Sequence, residues 1–251
     1  MKTKLVHCSF HKCLTVYYSK VMATLYNRIL IFSKGYRHFN SHLNSFYRES
    51  NNFTIASVNN HALDLDQLGG DCRVTLFVRD PRDLVVSGYF YHKRGAEAWC
   101  DIIDPEIEDW SIVNGCIPEN LPKGRSYASF LQGVSKEDGL MAEIGFRRNH
   151  FNSMQKWLDS ADTRVKLFRY EDMVGNEASI FSEIFAHYDI SGLELKLGVL
   201  LAEYFSAGKL SKYSKHIRNP EAGQWKKHFS AKVQDYFEQE YGELLIGYDY
   251  S

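Results

Sequence analysis

The sequence has few of the features that mark secreted, membrane-spanning or nucleic-acid-binding proteins. Its five cysteines form no Cys-x-x-Cys pair and no zinc-ligand spacing, which argues for reduced thiols rather than a disulfide framework. No apolar run approaches the roughly 20 residues that a membrane-spanning helix requires. The formal net charge is −1, so no excess of positive charge indicates binding to nucleic acid or to a membrane surface. No signal-peptide pattern precedes the first predicted strand, and we therefore expect a cytoplasmic protein.

The chain also lacks internal repeats and any linker rich in proline, glycine or serine. Hydrophobic residues make up 44% of it, which is enough for a sizeable core. We therefore predict one domain over residues 1–251. Weak periodicity over about 96–138, together with three of the five prolines, predicts an irregular insertion on the substrate side, of the kind that forms a lid.

Strands and helices are predicted to alternate along the chain. The apolar run at 74–78 is typical of a buried strand in a parallel sheet. Asp80, Pro81 and Gly95 supply an N-cap, a first helical residue and a C-terminal stop for the helix that follows. The predicted strands are 5–9, 53–58, 74–78 and 164–169. One helix is predicted to begin at residue 15, and four more are predicted over 81–94, 140–158, 180–188 and 230–245. This alternation predicts an α/β fold whose mainly parallel central sheet is flanked by helices.

The end of the first strand carries groups suited to phosphate binding. A tight turn with Lys12 leads to Thr15 at a helix start, where backbone N–H groups and the helix dipole favour an anion. Leu14 stands where a phosphate loop usually has glycine, and the spacing differs from GxxxxGK[ST]. An ordinary strand-to-helix turn with a surface lysine is therefore the alternative.

The end of the third predicted strand is suited to a second phosphate contact. Arg79 stands at the carboxyl end of that strand, the edge at which open α/β sheets bind ligands. Ser87 follows two turns into the next helix, so that the planar guanidinium and a hydroxyl can hold one phosphate. A surface Arg–Asp pair with a helical serine is the alternative.

Four segments resemble motifs of the sulfotransferase family, in the family's order. Residues 11–15 (His-Lys-Cys-Leu-Thr) resemble its loop for the 5′-phosphosulfate. Residues 79–92 resemble its 3′-phosphate segment, with an arginine, a serine eight residues later and an aromatic end. Residues 170–172 (Tyr-Glu-Asp) resemble the element whose tyrosine lies near the adenine, and residues 217–226 resemble the C-terminal loop at the 3′-phosphate. The resemblance spans nearly the whole chain.

The resemblance implies a P-loop-like α/β fold and a sulfotransferase. Such an enzyme transfers the sulfuryl group of 3′-phosphoadenosine 5′-phosphosulfate (PAPS) in line to an acceptor and releases 3′-phosphoadenosine 5′-phosphate (PAP); no metal is expected. Lys12 is implied as the catalytic cation at the bridging and leaving oxygens. The residues implied to bind the cofactor are Lys12, Cys13, Leu14, Thr15, Val16, Tyr17, Arg79, Ser87, Tyr170, Arg218 and Asn219.

The chain departs from the family pattern inside these motifs. Leu14 replaces a glycine, Val16 replaces a second threonine and Tyr17 stands where tryptophan is frequent. Asn219-Pro220 replaces Lys-Gly, which removes a cation and one N–H donor. These changes predict a weaker affinity for the cofactor than is typical of the family.

The resemblance places the catalytic base shortly after the second predicted strand, where this chain has His61. The Lys-Thr that precedes the family's histidine is missing, and a plain loop histidine is the alternative. His11, His92 and Glu97 are the other candidates for the base. The acceptor is expected to be a hydroxyl or amine of a small molecule, lipid or saccharide, and the sequence does not predict the oligomeric state.

Two other functions remain as alternatives. A non-catalytic nucleotide-binding homologue would explain the departures in the phosphate loops. A P-loop kinase of a small metabolite would need a Ser or Thr after the lysine and an acidic residue at the strand end for Mg²⁺, where this chain has Cys13 and Arg79.

Overall fold

The computed structural model describes residues 3–10, 12–68, 71–160, 162–206 and 221–250. The chain divides into two compact units. The first consists of residues 1–79 and 161–222, and the second consists of residues 80–160 and 223–251. The expectation of one domain over the whole chain stays a prediction.

The first unit contains a parallel sheet of five strands. They are β1 (Lys4–Ser9), β2 (Tyr36–His38), β3 (Ile55–Val58), β4 (Cys72–Val78) and β5 (Val165–Arg169). Their order is β2-β3-β1-β4-β5, and every adjacent pair is parallel. The predicted α/β fold with a parallel sheet is confirmed. The three-residue strand β2 was missed because Arg37 and His38 are exposed, so that it has no apolar pattern.

Helices account for most of the remaining described chain. In chain order they are α1 (Thr15–Thr24), α2 (Leu43–Arg48), α3 (Pro81–Lys93), α4 (Tyr127–Gly133), α5 (Lys136–Phe146), α6 (Arg148–Ser160), α7 (Tyr170–Met173), α8 (Glu177–His187), α9 (Gly192–Tyr204), α10 (Trp225–His228) and α11 (Ala231–Gly247). Helix α1 continues as a π-helical turn over Leu25–Ile29. None of the helices in the described ranges is both long and apolar enough to cross a bilayer.

A buried polar network joins the central strand β1 to its neighbour β4. The hydroxyl of Tyr188 donates to the carbonyl oxygen of Val6 at 2.8 Å and lies 2.6 Å from Thr75 Oγ1. The fully buried ring of His7 stacks on Tyr18, with 3.8 Å between centroids, and its Nδ1 lies 3.0 Å from Thr75 Oγ1. Burial, reinforced by the charge of His38, holds the pKa of His7 well below its usual value. The imidazole is therefore neutral, and it joins β1 to β4 through hydrogen bonding instead of charge.

In the second unit, α3 begins as its sequence predicts. The Asp80 side chain accepts from the Arg82 amide at 2.9 Å, Pro81 is the first helical residue, and Gly95 has a left-handed φ of 61° just after the helix. These signals depend on local chemistry alone, which explains why the sequence was sufficient to predict them.

The single helix predicted over 140–158 is wrong, because two helices, α5 and α6, meet at Arg147. The buried side chain of this residue donates from Nε to Glu143 at 2.8 Å. Glu143 also accepts from the hydroxyl of Tyr127 at 2.9 Å and lies 2.8 Å from His92 Nδ1. A side chain at Gly88 would overlap Glu143, so this glycine permits the close approach of α3 and α5. The apolar stripe continues across the break, and periodicity alone cannot detect it.

The segment 96–138 is less irregular than its sequence indicates. It contains two 3₁₀ helices, Ala98–Asp101 and Glu108–Val113, and helix α4. Trp99 and Trp110 are buried within the second unit, and their rings are 5.4 Å apart in an edge-on arrangement. The role of the segment 96–138 as a lid stays a prediction.

Candidate active site

The carboxyl ends of four adjacent strands bring most of the predicted site residues of the first unit to one edge of its sheet. Lys12 follows β1, His61 follows β3, Arg79 follows β4 and Tyr170 follows β5. Neighbouring strands lie about 4.8 Å apart, so these positions occupy consecutive places along the edge. Strand β1 pairs with β3 on one side and β4 on the other, so the chain reverses its direction across the sheet at β1. Open α/β sheets bind ligands at such a reversal.

The turn between β1 and α1 has the backbone form of an anion cradle. Lys12 and Leu14 have φ values of 72° and 57°, both in the left-handed region. Leu14 is the N-cap of α1, no side-chain hydrogen bond caps the helix, and its first turn has no acidic residue. The helix dipole and the amides of the first turn therefore favour a negative ligand. Val16 in this turn is 76% exposed, whereas Cys13 is buried.

Thr15 is held by two polar residues from neighbouring strand ends. Its Oγ1 lies 2.6 Å from Ser9 Oγ and 3.3 Å from Asn59 Oδ1. This network fixes the hydroxyl relative to both β1 and β3. Sequence reasoning did not assign Ser9 or Asn59 to the site; the available signal was a polar residue at or just after the end of a buried strand.

Arg79 is buried, whereas the alternative interpretation of this segment requires it at the surface. It is 5% exposed, and its guanidinium carbon lies 4.1 Å from the ring centroid of Tyr170. A guanidinium stacked on an aromatic face is held in a fixed plane. The residues predicted for the 3′-phosphate and for the adenine are therefore in direct contact.

His61 lies within the first unit, near the start of the β1–α1 turn. Its ring is 5% exposed and stacks on Phe10, with centroids 5.3 Å apart and planes 7° from parallel. The carbonyl oxygen of the preceding Asn60 accepts from Cys8 Sγ at 2.8 Å, which anchors the loop to β1. His61 is thus placed at the correct sheet edge, while its role as a base stays a prediction.

Tyr17 has its hydroxyl directed into the core of the first unit. The hydroxyl donates to the carbonyl oxygen of Ala202 at 2.8 Å, and the ring packs edge-on against Phe181. Burial, with a smaller contribution from Glu177, raises the pKa of this hydroxyl well above its usual value. A contact of Tyr17 with the purine stays a prediction and would have to use the ring.

The other predicted residues fall in the second unit or outside the described chain. Ser87 is half-buried on α3. His92 is completely buried against Glu143, and Glu97 accepts from the Tyr91 hydroxyl at 3.0 Å and from the Trp99 indole. His11, Arg218 and Asn219 lie outside the described residues. Within the described ranges, no group of three or more His, Cys, Asp or Glu is arranged to hold a metal ion.

The left-handed backbone at Leu14 generates a stability prediction. An L-residue in this conformation costs roughly 1–2 kcal/mol, which glycine avoids. Leu14→Ala and Leu14→Gly both remove the side chain, but only glycine removes the strain. We expect the glycine variant to be about 1 kcal/mol more stable than the alanine variant in urea unfolding. At the mid-helix position Lys20 the order should reverse, with glycine about 1 kcal/mol less stable than alanine. Equal or inverted stabilities at position 14 would contradict the left-handed turn.

Comparisons with known structures agree with this fold. The crystal structure of mouse sulfotransferase SULT7A1 complexed with PAP is similar, with a TM-score of 0.60 and 17% identity, over 100% of this chain and 88% of that one. Retinol dehydratase, crystallised with PAP and either androsterone or retinol, is similar in two structures with a TM-score of 0.54 and 14% identity. These matches cover 98% of this chain and 81% or 82% of the other.

The sequence matches none of the curated proteins. It does match the family model of the sulfotransferase domain over residues 17–249. This match begins after Val16. The assignment of the β1–α1 turn to phosphosulfate binding therefore depends on the geometry of the turn and on the motif resemblance. The match covers most of the chain, and the protein therefore belongs to the sulfotransferase domain family.

Proposed function

We propose that the protein transfers the sulfuryl group of PAPS to a hydroxyl or amine of a small-molecule acceptor. The observation that carries this proposal is the β1–α1 turn, where Lys12 precedes the helix start of α1, which no side chain caps. Such a turn at the sheet's carboxyl edge suits a phosphosulfate. The presence of PAP in the three similar structures supports the choice of donor.

The proposal gives each end of the donor its own residues. Lys12, Thr15 and the amides up to Tyr17 hold the 5′-phosphosulfate. Arg79 and Ser87 hold the 3′-phosphate, and Tyr170 lies near the adenine. The stacking of Arg79 on Tyr170 supports this division. It fixes the guanidinium plane beside the residue that is assigned to the adenine ring. The assignments of Cys13, Leu14, Val16, Arg218 and Asn219 to the cofactor also stay proposals.

The chemistry follows from positioning and charge. The acceptor oxygen attacks sulfur in line, the bond between sulfur and the 5′-phosphate oxygen breaks, and PAP leaves with the bonding electrons. Lys12 stabilises the negative charge that develops on the leaving oxygen. His61 takes the proton from the acceptor. Its place at the sheet edge supports this role over His92, which is buried against Glu143.

The acceptor class is proposed from the similar structures and from the family. Retinol and androsterone, bound in the retinol dehydratase structures, are small apolar molecules with a hydroxyl. We propose an acceptor of the same kind, with lipids, saccharides and amines as further classes for the assay.

One assay series tests the function. Thermal unfolding is measured with PAP, with ATP and Mg²⁺, and without ligand; saturation at 100 times the dissociation constant stabilises a protein by about 2.7 kcal/mol. Transfer from ³⁵S-labelled PAPS is then measured with a panel of alcohols, phenols, saccharides and amines. Stabilisation by PAP together with a labelled product supports the proposal. Stabilisation by PAP without any product identifies a non-catalytic binder, and stabilisation by ATP alone indicates a kinase.

Lys12 is predicted to act mainly in the transition state. Lys12→Ala should lower kcat by about 100-fold or more, because loss of one such electrostatic contact costs about 2.7–4 kcal/mol. Binding of PAP should remain measurable by calorimetry, and the control Lys20→Ala, on helix α1 after the turn, should keep its kcat. A Lys12→Ala variant with nearly normal kcat and only a raised KM would reduce Lys12 to a docking residue.

His61 is predicted to be the general base. His61→Gln should abolish turnover while leaving PAP affinity nearly unchanged, because an amide cannot accept the proton. Retained PAP binding serves as the control for folding, since the ring is buried on Phe10. Turnover by His61→Gln within tenfold of the wild type would move the search to His11 and Glu97.

A further inference from the structure

Large apolar side chains are exposed on the turn that follows the π-helical turn of the first unit. Phe32 is 97% exposed, Ile31 is 55% exposed and Ile29 is 47% exposed. Single apolar residues on a surface are ordinary, but three within four residues form a patch, and exposed patches mark contacts with a protein partner or a membrane. We call residues 29–32 the apolar tip.

Hydrogen bonds close the turn on both sides of the apolar tip. Ser33 donates from its amide and from its hydroxyl to the carbonyl oxygen of Leu30, at 3.0 Å in both cases. The side chain of Asn27 donates to the carbonyl oxygen of Tyr36 at 2.9 Å and accepts from the amide of Tyr36 at 3.0 Å. The ring of Phe32 therefore belongs to a closed turn, and its exposure results from the fold of that turn.

The π-helical turn determines which side chains point outward. The amide of Leu30 donates to the carbonyl oxygen of Leu25 at 2.8 Å, a hydrogen bond that spans five residues. Leu25 and Tyr26 are buried, and the Tyr26 hydroxyl donates to Glu194 of α9 at 3.2 Å. Residues 27–29 on the outer side are exposed. Helix α9 thus covers the inner side of the turn, and the outer side presents the apolar tip.

The apolar tip lies in a segment whose charges have one sign. Residues 1–48 contain eight Lys and Arg and no Asp or Glu, whereas the rest of the chain contains 22 Lys and Arg and 31 Asp and Glu. Arg28 is exposed and directly precedes the tip. Lys34 and Arg37 follow the tip, and each pairs with a glutamate from outside the segment while its side chain stays 32% and 50% exposed, respectively. The balanced net charge of the whole chain conceals this asymmetry, and the surroundings of the tip favour an anionic partner.

The size and form of the patch favour a membrane over a protein. Three side chains expose well under the roughly 800 Å² that each partner buries in a stable protein interface. A protruding tip also needs a matching cavity in a protein partner, whereas the boundary between lipid headgroups and acyl chains accepts it directly. Basic residues beside an apolar anchor are attracted to the negative surface of a bilayer that contains anionic lipids.

We propose that the apolar tip docks the protein reversibly on membranes that contain anionic lipids; this inference is independent of the proposed function. Phe32 and Ile31 enter the boundary between headgroups and acyl chains, and Arg28 contacts the lipid phosphates. The binding strength is the sum of an apolar and an electrostatic contribution. The two contributions can be removed one at a time, because different side chains supply them.

The experiment measures partitioning of the full chain onto vesicles by cosedimentation. One set of vesicles is pure phosphatidylcholine, and the other also contains about 30% phosphatidylserine, which makes its surface negative. The wild type should bind the anionic vesicles about tenfold or more better than the neutral ones. Phe32→Ser should lower binding to the anionic vesicles about tenfold or more, because the ring no longer leaves water. Arg28→Gln should lower it about fivefold.

Ile246→Ser is the matched control, because it removes an apolar side chain that is 82% exposed on α11 of the second unit. This variant should bind both sets of vesicles as the wild type does. All three substitutions change exposed side chains, and the melting temperature of each variant verifies that it is folded.

Three results would overturn the inference. They are a wild type that stays in the supernatant, a wild type that binds both sets of vesicles equally, and a Phe32→Ser variant that keeps full binding to the anionic vesicles. Analytical ultracentrifugation tests a second copy of the chain as the occupant. Self-association that Phe32→Ser abolishes, combined with no binding to vesicles, would assign the apolar tip to a protein interface instead.

Discussion

The turn after β1 is the constraint on which the first unit depends. Two left-handed residues reverse the chain so that α1 begins at the carboxyl edge of the sheet with no side chain capping its first amides. A helix start of this kind is costly to leave without a partner, and an anion satisfies it. The surrounding contacts maintain this geometry: Thr15 is bonded to the ends of two strands, and Tyr188 ties β1 to β4 through Val6 and Thr75.

Leu14 shows how the chain keeps this turn without the glycine that phosphate loops usually have. Its φ of 57° lies in the left-handed region that glycine adopts without strain, so leucine holds this backbone conformation at a cost in strain. The loss of a hydroxyl at Val16 is different in kind, because no backbone adjustment replaces a side-chain donor. Affinity for the donor is therefore expected to depend strongly on Thr15 and on the amides.

The sequence was sufficient to predict a structural feature where residues close in sequence determine it, and insufficient where contacts between distant segments determine it. Helix α3 was predicted correctly because Asp80 and Pro81 at its start and Gly95 after its end act on neighbouring residues alone. The break at Arg147 was missed because it depends on the buried carboxylate of Glu143 and on what α3 and α4 bring to it. For the same reason the sequence showed Asp83 merely as an acidic residue in a first helical turn. Its hydrogen bonds from the Gly223 and Trp225 amides form only when the C-terminal part of the chain packs against α3.

The central claim is that the sheet edge binds a nucleotide with a 3′-phosphate, and Arg79 tests it most directly. Calorimetry should compare PAP with adenosine 5′-phosphate (AMP) for the wild type, for Arg79→Ala and for Arg73→Ala, which lies near the opposite end of the same strand. The account predicts that the wild type and Arg73→Ala prefer PAP by about tenfold or more, and that Arg79→Ala loses this preference, in line with about 1.5–3 kcal/mol for a hydrogen bond to a charged group. A wild-type protein that binds PAP and AMP equally, or an Arg79→Ala variant that keeps the full preference, would contradict it.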